Sequence, residues 1–331
     1  MTRALSLSIA VGNYDRVRPL VDGAVPIDGV EPTFALLTPE EMFFRAFRHA
    51  DFDVTELSLS SYVVRAAQGD CPYVAIPTFP SRAFRHNAIF VRNDRGIARP
   101  QDLRGRRIGM PEYQLTANVW VRMILQDDHG VSPADIQWVR GGYETPGRNE
   151  KIRINLPSGV RIEDAPAGAT LSRMLADGDI DGLIGPRAPS CFDAGHPAVS
   201  WLFEDPAAAA LEWYGRTNIF PIMHVIGIRK SLVERHPFLP ASLTKAFEAS
   251  RRAALEALND TSASKVTLPL VDEHLRRIRK LMGHDFWSYG LEANRATLEA
   301  FLKAHHAQGL SSRRLAPEEL FHPASLESFS L

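Results

Sequence analysis

Cysteine is nearly missing from this chain. Cys71 and Cys191 are the only two in 331 residues. They lie far apart and without metal-ligand spacing, so neither a disulfide framework nor a cysteine-based metal site is expected. Excess charge is missing too. Thirty-eight basic residues against 39 acidic ones leave a formal charge of −1. That balance gives no pull toward nucleic acid or an anionic membrane surface. No apolar run approaches the roughly 18 residues of a membrane span. Leu5-Ser6-Leu7-Ser8-Ile9-Ala10-Val11 alternates like a strand. It is too short and too polar for the apolar region of a signal peptide, and Asp15, Arg16 and Arg18 follow at once. The expectation is a cytoplasmic protein without nucleic-acid or membrane partners. Dinucleotide and Walker glycine motifs, a Gly-x-Ser-x-Gly elbow, internal repeats and low-complexity tracts are all missing. What is present is a 45% hydrophobic chain, long enough for two lobes.

The chain alternates strand and helix signals. After the first strand, Thr38-Pro39-Glu40-Glu41 is a helix start, followed by the apolar face Met42, Phe43, Ala46 and Phe47. Residues 52–57 read as a strand running into Ser58-Leu59-Ser60-Ser61-Tyr62, which opens another helix. Strands follow at 73–77 and 87–91. Residues 106–120 form a strand, a turn at Gly109 and Pro111, and a helix whose apolar residues Ala117, Trp120, Val121 and Ile124 recur at helical spacing. Further strands are expected at 136–139, 160–165, 179–186 and 220–228, with a short helix at 170–176. From 240 the chain is mostly helical, near 240–258, 270–282 and 291–305.

Candidate site residues sit where strands end, the edge at which open α/β sheets bind ligands. Tyr14 and Arg16 follow the first strand. Glu56 and Ser60 lie at the second strand-to-helix junction. Arg82, Arg85 and His86 form a cationic group around Phe84, and on an alternating segment Arg82, Phe84 and His86 share one face. Gln114, Thr116 and Asn118 mark a helix start whose free N–H groups suit an anion. Arg187 ends a strand, and His224 lies in a later one. The plain alternatives are a solvated charge run for the arginines, turn or cap roles for the serines, and a core position for either histidine.

This order of elements resembles a type II periplasmic-binding-protein fold, two α/β lobes with a ligand cleft between them and C-terminal helices. The phrase Pro100-Gln101-Asp102-Leu103-Arg104-Gly105-Arg106-Arg107-Ile108-Gly109 is similar to one at the start of the second lobe in that superfamily. The expected division is 1–95 with 222–331 against 96–221. A closer resemblance covers nearly the whole chain. Tyr14-Asp15-Arg16, the run from Glu40 to Arg48, the run from Phe52 to Tyr62, Phe84-Arg85-His86, the run from Pro111 to Trp120, and Pro186-Arg187-Ala188-Pro189-Ser190-Cys191-Phe192 look like the 4,5-dihydroxyphthalate decarboxylases of phthalate degradation.

The resemblance implies loss of one carboxylate from 4,5-dihydroxyphthalate, giving 3,4-dihydroxybenzoate and CO2. Such a site needs a group to take the phenol proton, an acid at the ring carbon, and cations for the carboxylates. Arg82, Arg85 and Arg187 suit carboxylates, because a guanidinium binds them with two parallel hydrogen bonds. Gln114, Thr116 and Asn118 would position the substrate. His86 is the first choice for moving the proton, with Glu56 or Glu112 as partner carboxyl and His224 as the second choice. No organic cofactor is expected. A divalent metal stays open through one speculative set, Glu56 with His86 and His224. A homo-oligomer also stays open. The alternatives are a solute-binding protein holding an aromatic carboxylate without chemistry, and a regulator sharing the fold.

Overall fold

A computed structural model of the chain describes residues 4–148, 150–152, 154 and 156–326. The chain forms two compact units. One comprises Met1–Arg82, Ile222–Glu299 and Leu315–Leu331, and the other Ala83–Pro221 and Ala300–Arg314.

Among the described residues the first unit holds a five-stranded sheet. Its strands are β1 (Leu5–Val11), β2 (Val30–Leu36), β3 (Val54–Ser58), β4 (Tyr73–Ile76) and a late return strand, His224–Arg229. β1 pairs in parallel with β2 and β3, and the return strand lies antiparallel between β3 and β4. Every residue of β3 is buried, Thr55 and Glu56 included. A central strand covered on both faces normally reads as a continuous apolar run. Polar residues there need partners, because an unpaired buried polar group costs about 1–3 kcal/mol. Helices Pro39–His49 and Leu59–Gln68 flank this sheet and bury Met42, Phe43, Ala46 and Phe47 from the first and Tyr62, Val63 and Val64 from the second.

The second unit holds a six-stranded sheet among the described residues. It contains β5 (Ile89–Arg92), β6 (Arg107–Met110), β7 (Gln137–Arg140), β8 (Arg161–Asp164), β9 (Gly182–Ile184) and β10 (Val199–Trp201); the return strand of the first unit is therefore β11. β6, β7, β8 and β9 pair in parallel, while β5 runs antiparallel to β9 and β10. Phe90, Val139, Leu171, Leu175, Ile180 and Leu183 form the centre of its core. Gly109 on β6 is required by close packing. A Cβ there would stand 2.8 Å from Ile180 and 3.1 Å from Leu171 and Leu183.

The observed division differs from the expected boundary at 95. Strand 87–91 was expected with the first unit. Its backbone is instead completed by Asp181, Leu183 and Ser200 on neighbouring segments of the second sheet, so the chain changes unit at 82–83. Residues 300–314 also belong with the second unit, where Trp120 packs on Phe301 at 5.2 Å. The alternation expected around Phe84 is not realised either. Arg82 makes one isolated bridge to Ile222, and the chain then coils into a single turn at His86–Ala88. Arg82 therefore falls in the first unit, and Arg85 and His86 in the second.

Candidate active site

Strand register brings Glu56 and His224 together. Glu56 pairs with Ile226, and Ser58 with His224. Because side chains alternate along a strand, Glu56 and His224 are diagonal neighbours on one sheet face, within reach for long side chains. The Glu56 carboxylate meets Nδ1 of His224 through Oε1. The same oxygen accepts the Tyr14 hydroxyl at 3.0 Å, and Oε2 accepts the Gly12 backbone N–H at 2.9 Å. Burial by itself would raise the Glu56 carboxyl. The His224 charge and hydrogen bond, then Gly12 and Tyr14, outweigh burial and hold it below the ordinary carboxylate range. Tyr14 goes the other way. Burial, then the nearby Glu56 charge, raises its phenol far above the ordinary value, so it remains a hydrogen-bond donor.

Gly12 makes this packing possible. A Cβ at that position would come within 2.4 Å of the Tyr14 ring. The edge of Phe43 lies against the His224 ring, with centroids 4.8 Å apart and planes at 80°. With Nδ1 held by Glu56 and one side against Phe43, the imidazole has a set orientation. Its side chain keeps 15% exposure, and Nε2 has no hydrogen-bond partner among the described residues. The result is a carboxylate–imidazole pair with one ring nitrogen available for proton exchange.

A cation completes this cluster. The Arg16 guanidinium carbon lies 4.2 Å from the ring centroids of both Tyr14 and Trp287. Its Nε donates to the Pro80 carbonyl and its Nη1 to Asp15 at 3.0 Å. Trp287 and the neighbouring Tyr289 were not among the residues expected from sequence. They come from segment 284–290, which connects two helices. The aromatic run Phe286-Trp287-Ser288-Tyr289 outside any helix periodicity was the signal available. The same segment receives Arg82, whose Nη2 donates to the Ser288 carbonyl at 2.7 Å and to Asn294. Arg82 is buried and ties segments of its own unit together. Ser60 is fully buried near the start of helix Leu59–Gln68.

The remaining expected residues lie in the second unit. Glu112 is completely buried; its Oε1 accepts from Arg148 Nη2 at 2.7 Å and Lys151 Nζ at 2.8 Å, and its Oε2 from the Lys151 backbone at 3.1 Å. Gln114 donates its amide to the Ile152 carbonyl at 3.0 Å, and Asn118 to the Glu112 carbonyl at 2.8 Å. With Thr116 these residues are buried around the start of helix Thr116–His129, where the Asn118 Oδ1 has no hydrogen-bond partner among the described residues. Arg85 donates to the Pro186 carbonyl at 3.2 Å, and desolvation brings its guanidinium down to about 10. Arg187 is exposed, and its carbonyl accepts the Tyr143 hydroxyl at 2.5 Å. His86 sits between aromatic rings, 5.3 Å from Phe203 and 5.6 Å from Trp213. Burial pushes it down to about 4, and its buried Nδ1 has no hydrogen-bond partner among the described residues. His86 thus meets aromatic rings, whereas His224 meets the Glu56 carboxylate. Glu112 likewise meets two cations and no histidine. Among the described residues, no three His, Cys, Asp or Glu side chains group so as to hold a metal ion. None of the helices there is long and apolar enough to cross a membrane.

Residues 29–175 match the family model described as the periplasmic substrate-binding protein of a phosphonate ABC transporter. Solved structures with a similar fold include the aliphatic sulphonate binding protein SsuA of Escherichia coli. It is 13% identical with a TM-score of 0.53, over 100% of this chain and 96% of that one. The alkanesulfonate-binding protein SsuA of Xanthomonas axonopodis pv. citri, bound to MOPS, is 12% identical with a TM-score of 0.53, over 98% and 99% of the two chains. The fold is therefore that of the two-lobed, type II periplasmic-binding-protein class. Within that class, a protein of Comamonas testosteroni named 4,5-dihydroxyphthalate decarboxylase is 64% identical over 99% of both chains. A protein of the same name from Pseudomonas putida is 65% identical over 63% of this chain and 81% of its own. The chain belongs to the 4,5-dihydroxyphthalate decarboxylase family.

Proposed function

We propose that the protein is a carboxy-lyase that converts 4,5-dihydroxyphthalate to 3,4-dihydroxybenzoate and CO2, with His224 and Glu56 as its proton-handling pair. Family membership supports the reaction, and the Glu56–His224 contact carries the assignment of residues. Each carboxylate of this substrate is para to a ring hydroxyl. Electron density from that oxygen makes the carboxylate-bearing carbon basic. Nε2 of His224 delivers a proton to that carbon. The bond to the carboxylate then breaks, its electron pair returns to the ring, and CO2 leaves. Glu56 holds Nδ1, keeping the imidazole in the orientation that points Nε2 at the ligand. Tyr14 and the Gly12 N–H keep the carboxylate ionised in a buried position. General acid–base steps of this kind contribute about 10²–10⁴-fold to rate. Arg16 supplies the cation for an aromatic acid beside the pair. The cytoplasmic location expected from the sequence goes with this reading and is testable by cell fractionation.

The reaction itself is tested by incubating purified protein with 4,5-dihydroxyphthalate, with and without added divalent cation, and following CO2 and 3,4-dihydroxybenzoate. Formation of both in equal amounts supports the proposal. Saturable binding without turnover under every condition points to a solute-binding protein instead.

A further inference from the structure

The proposed reaction contains a symmetry that the protein has to break. 4,5-Dihydroxyphthalate carries two equivalent carboxylates, and the product keeps one that is still para to a hydroxyl. A site able only to protonate a carbon para to a phenol has no reason to stop after one CO2. One carboxylate has to be held where its ring carbon cannot meet the proton donor.

Arg16 has the features needed for that task. Its guanidinium is stacked between Tyr14 and Trp287, each ring centroid 4.2 Å away. Nε is engaged by Pro80 and Nη1 by Asp15, whose side chain is 54% exposed. Nη2 has no hydrogen-bond partner among the described residues. Two stacked rings and two occupied nitrogens fix the plane of the cation before a ligand arrives, which reduces the ordering cost of binding. Tyr14 couples the cation to the proton-handling pair, with its ring under Arg16 and its hydroxyl on Glu56. Trp287 is anchored in turn, its indole N–H donating to the Phe79 carbonyl at 3.1 Å.

We infer that Arg16 holds the carboxylate that the substrate keeps, and that Trp287 is the positioning residue that fixes this clamp. One clamp beside one proton donor removes one carboxylate. The carboxylate left in the product is the one on Arg16, so its ring carbon stays away from Nε2 of His224. This inference takes the ligand's identity from the decarboxylase reading.

The test is equilibrium binding of 3,4-dihydroxybenzoate and catechol to the full-length protein and its variants. Catechol has the same ring and hydroxyls and lacks the carboxylate. The unaltered protein is expected to prefer 3,4-dihydroxybenzoate. Trp287→Ala should weaken 3,4-dihydroxybenzoate at least tenfold and catechol less than twofold. Trp287→Phe, which keeps a ring over Arg16, should restore most of the loss. Arg16→Lys keeps the charge and loses the stacked plane, so it should show the same selective loss even where Trp287→Ala does not fold. Equal weakening of both ligands, unchanged affinity for 3,4-dihydroxybenzoate, or no initial preference over catechol would overturn the clamp. Because binding is read without turnover, a protein that binds this way yet releases no CO2 sinks the decarboxylase reading and leaves the clamp intact.

Discussion

Among the described residues two glutamates, one in each unit, are buried: Glu56 and Glu112. Both carboxyls are held below the ordinary range against the opposing effect of burial. Their partners differ. Glu112 meets two lasting cations, Arg148 and Lys151, and every strong contact it makes lies within its own unit. Glu56 meets a histidine, a phenol and a backbone N–H. An arginine or lysine opposite a carboxylate gives a lock; a histidine gives a group that takes and returns a proton near neutral pH. The same burial thus sets a carboxylate against lasting cations in one unit and against a histidine in the other.

Replacing each glutamate by its amide should separate the two roles. Glu56→Gln removes the carboxylate and lets an amide N–H face Nδ1, which reverses the hydrogen bond that sets the histidine tautomer. The expected loss in kcat is about 10²–10⁴-fold with KM changed much less. A kcat within threefold of the parent would remove Glu56 from the chemistry. Glu112→Gln leaves two cations facing a neutral amide. Breaking a buried pair costs roughly 3–5 kcal/mol, and the lower end applies because Arg148 keeps 20% side-chain exposure. Denaturant unfolding should show that loss while kcat of the folded protein stays within a few-fold. An unchanged midpoint would mean the ion cluster is not a lock.

The two histidines extend the comparison. Burial lowers His86 to about 4 from 6.5, so the unfolded chain binds this proton more readily than the folded one. Its contribution is fully present above the unfolded value and is lost as pH falls from about 6.5 through about 4. His86→Leu should remove up to about 3 kcal/mol of the stability that the parent loses over that range. Parallel stability–pH curves for parent and variant would contradict the reading.

Much of this was legible from the chain alone. Leu5-Ser6-Leu7-Ser8-Ile9-Ala10-Val11 alternates and is β1 over the same residues. Helix Pro39–His49 starts where Thr38-Pro39-Glu40-Glu41 says it should, and Glu56, Tyr14, Arg16 and His224 were all candidates. The short strand β10 and the helix Pro206–Thr217 were not anticipated, because three residues of strand and an alanine-rich run carry little periodic signal. The proposed ranking of the histidines was also beyond the sequence. It depends on which side chain the return strand places diagonally from Glu56, and a pairing across 168 positions leaves no local trace. The internal bonding of Gln114 and Asn118 was likewise not visible in the sequence. A helix start looks the same in sequence whether its polar groups meet a ligand or the chain's own carbonyls, as Gln114 and Asn118 do here.

The central claim is that proton transfer belongs to His224 and not to His86. The most direct measurement is kcat for CO2 release from 4,5-dihydroxyphthalate by His224→Asn and His86→Asn, each corrected for its folded fraction. The account predicts a loss of at least 100-fold for His224→Asn and less than tenfold for His86→Asn. The reverse order would contradict it.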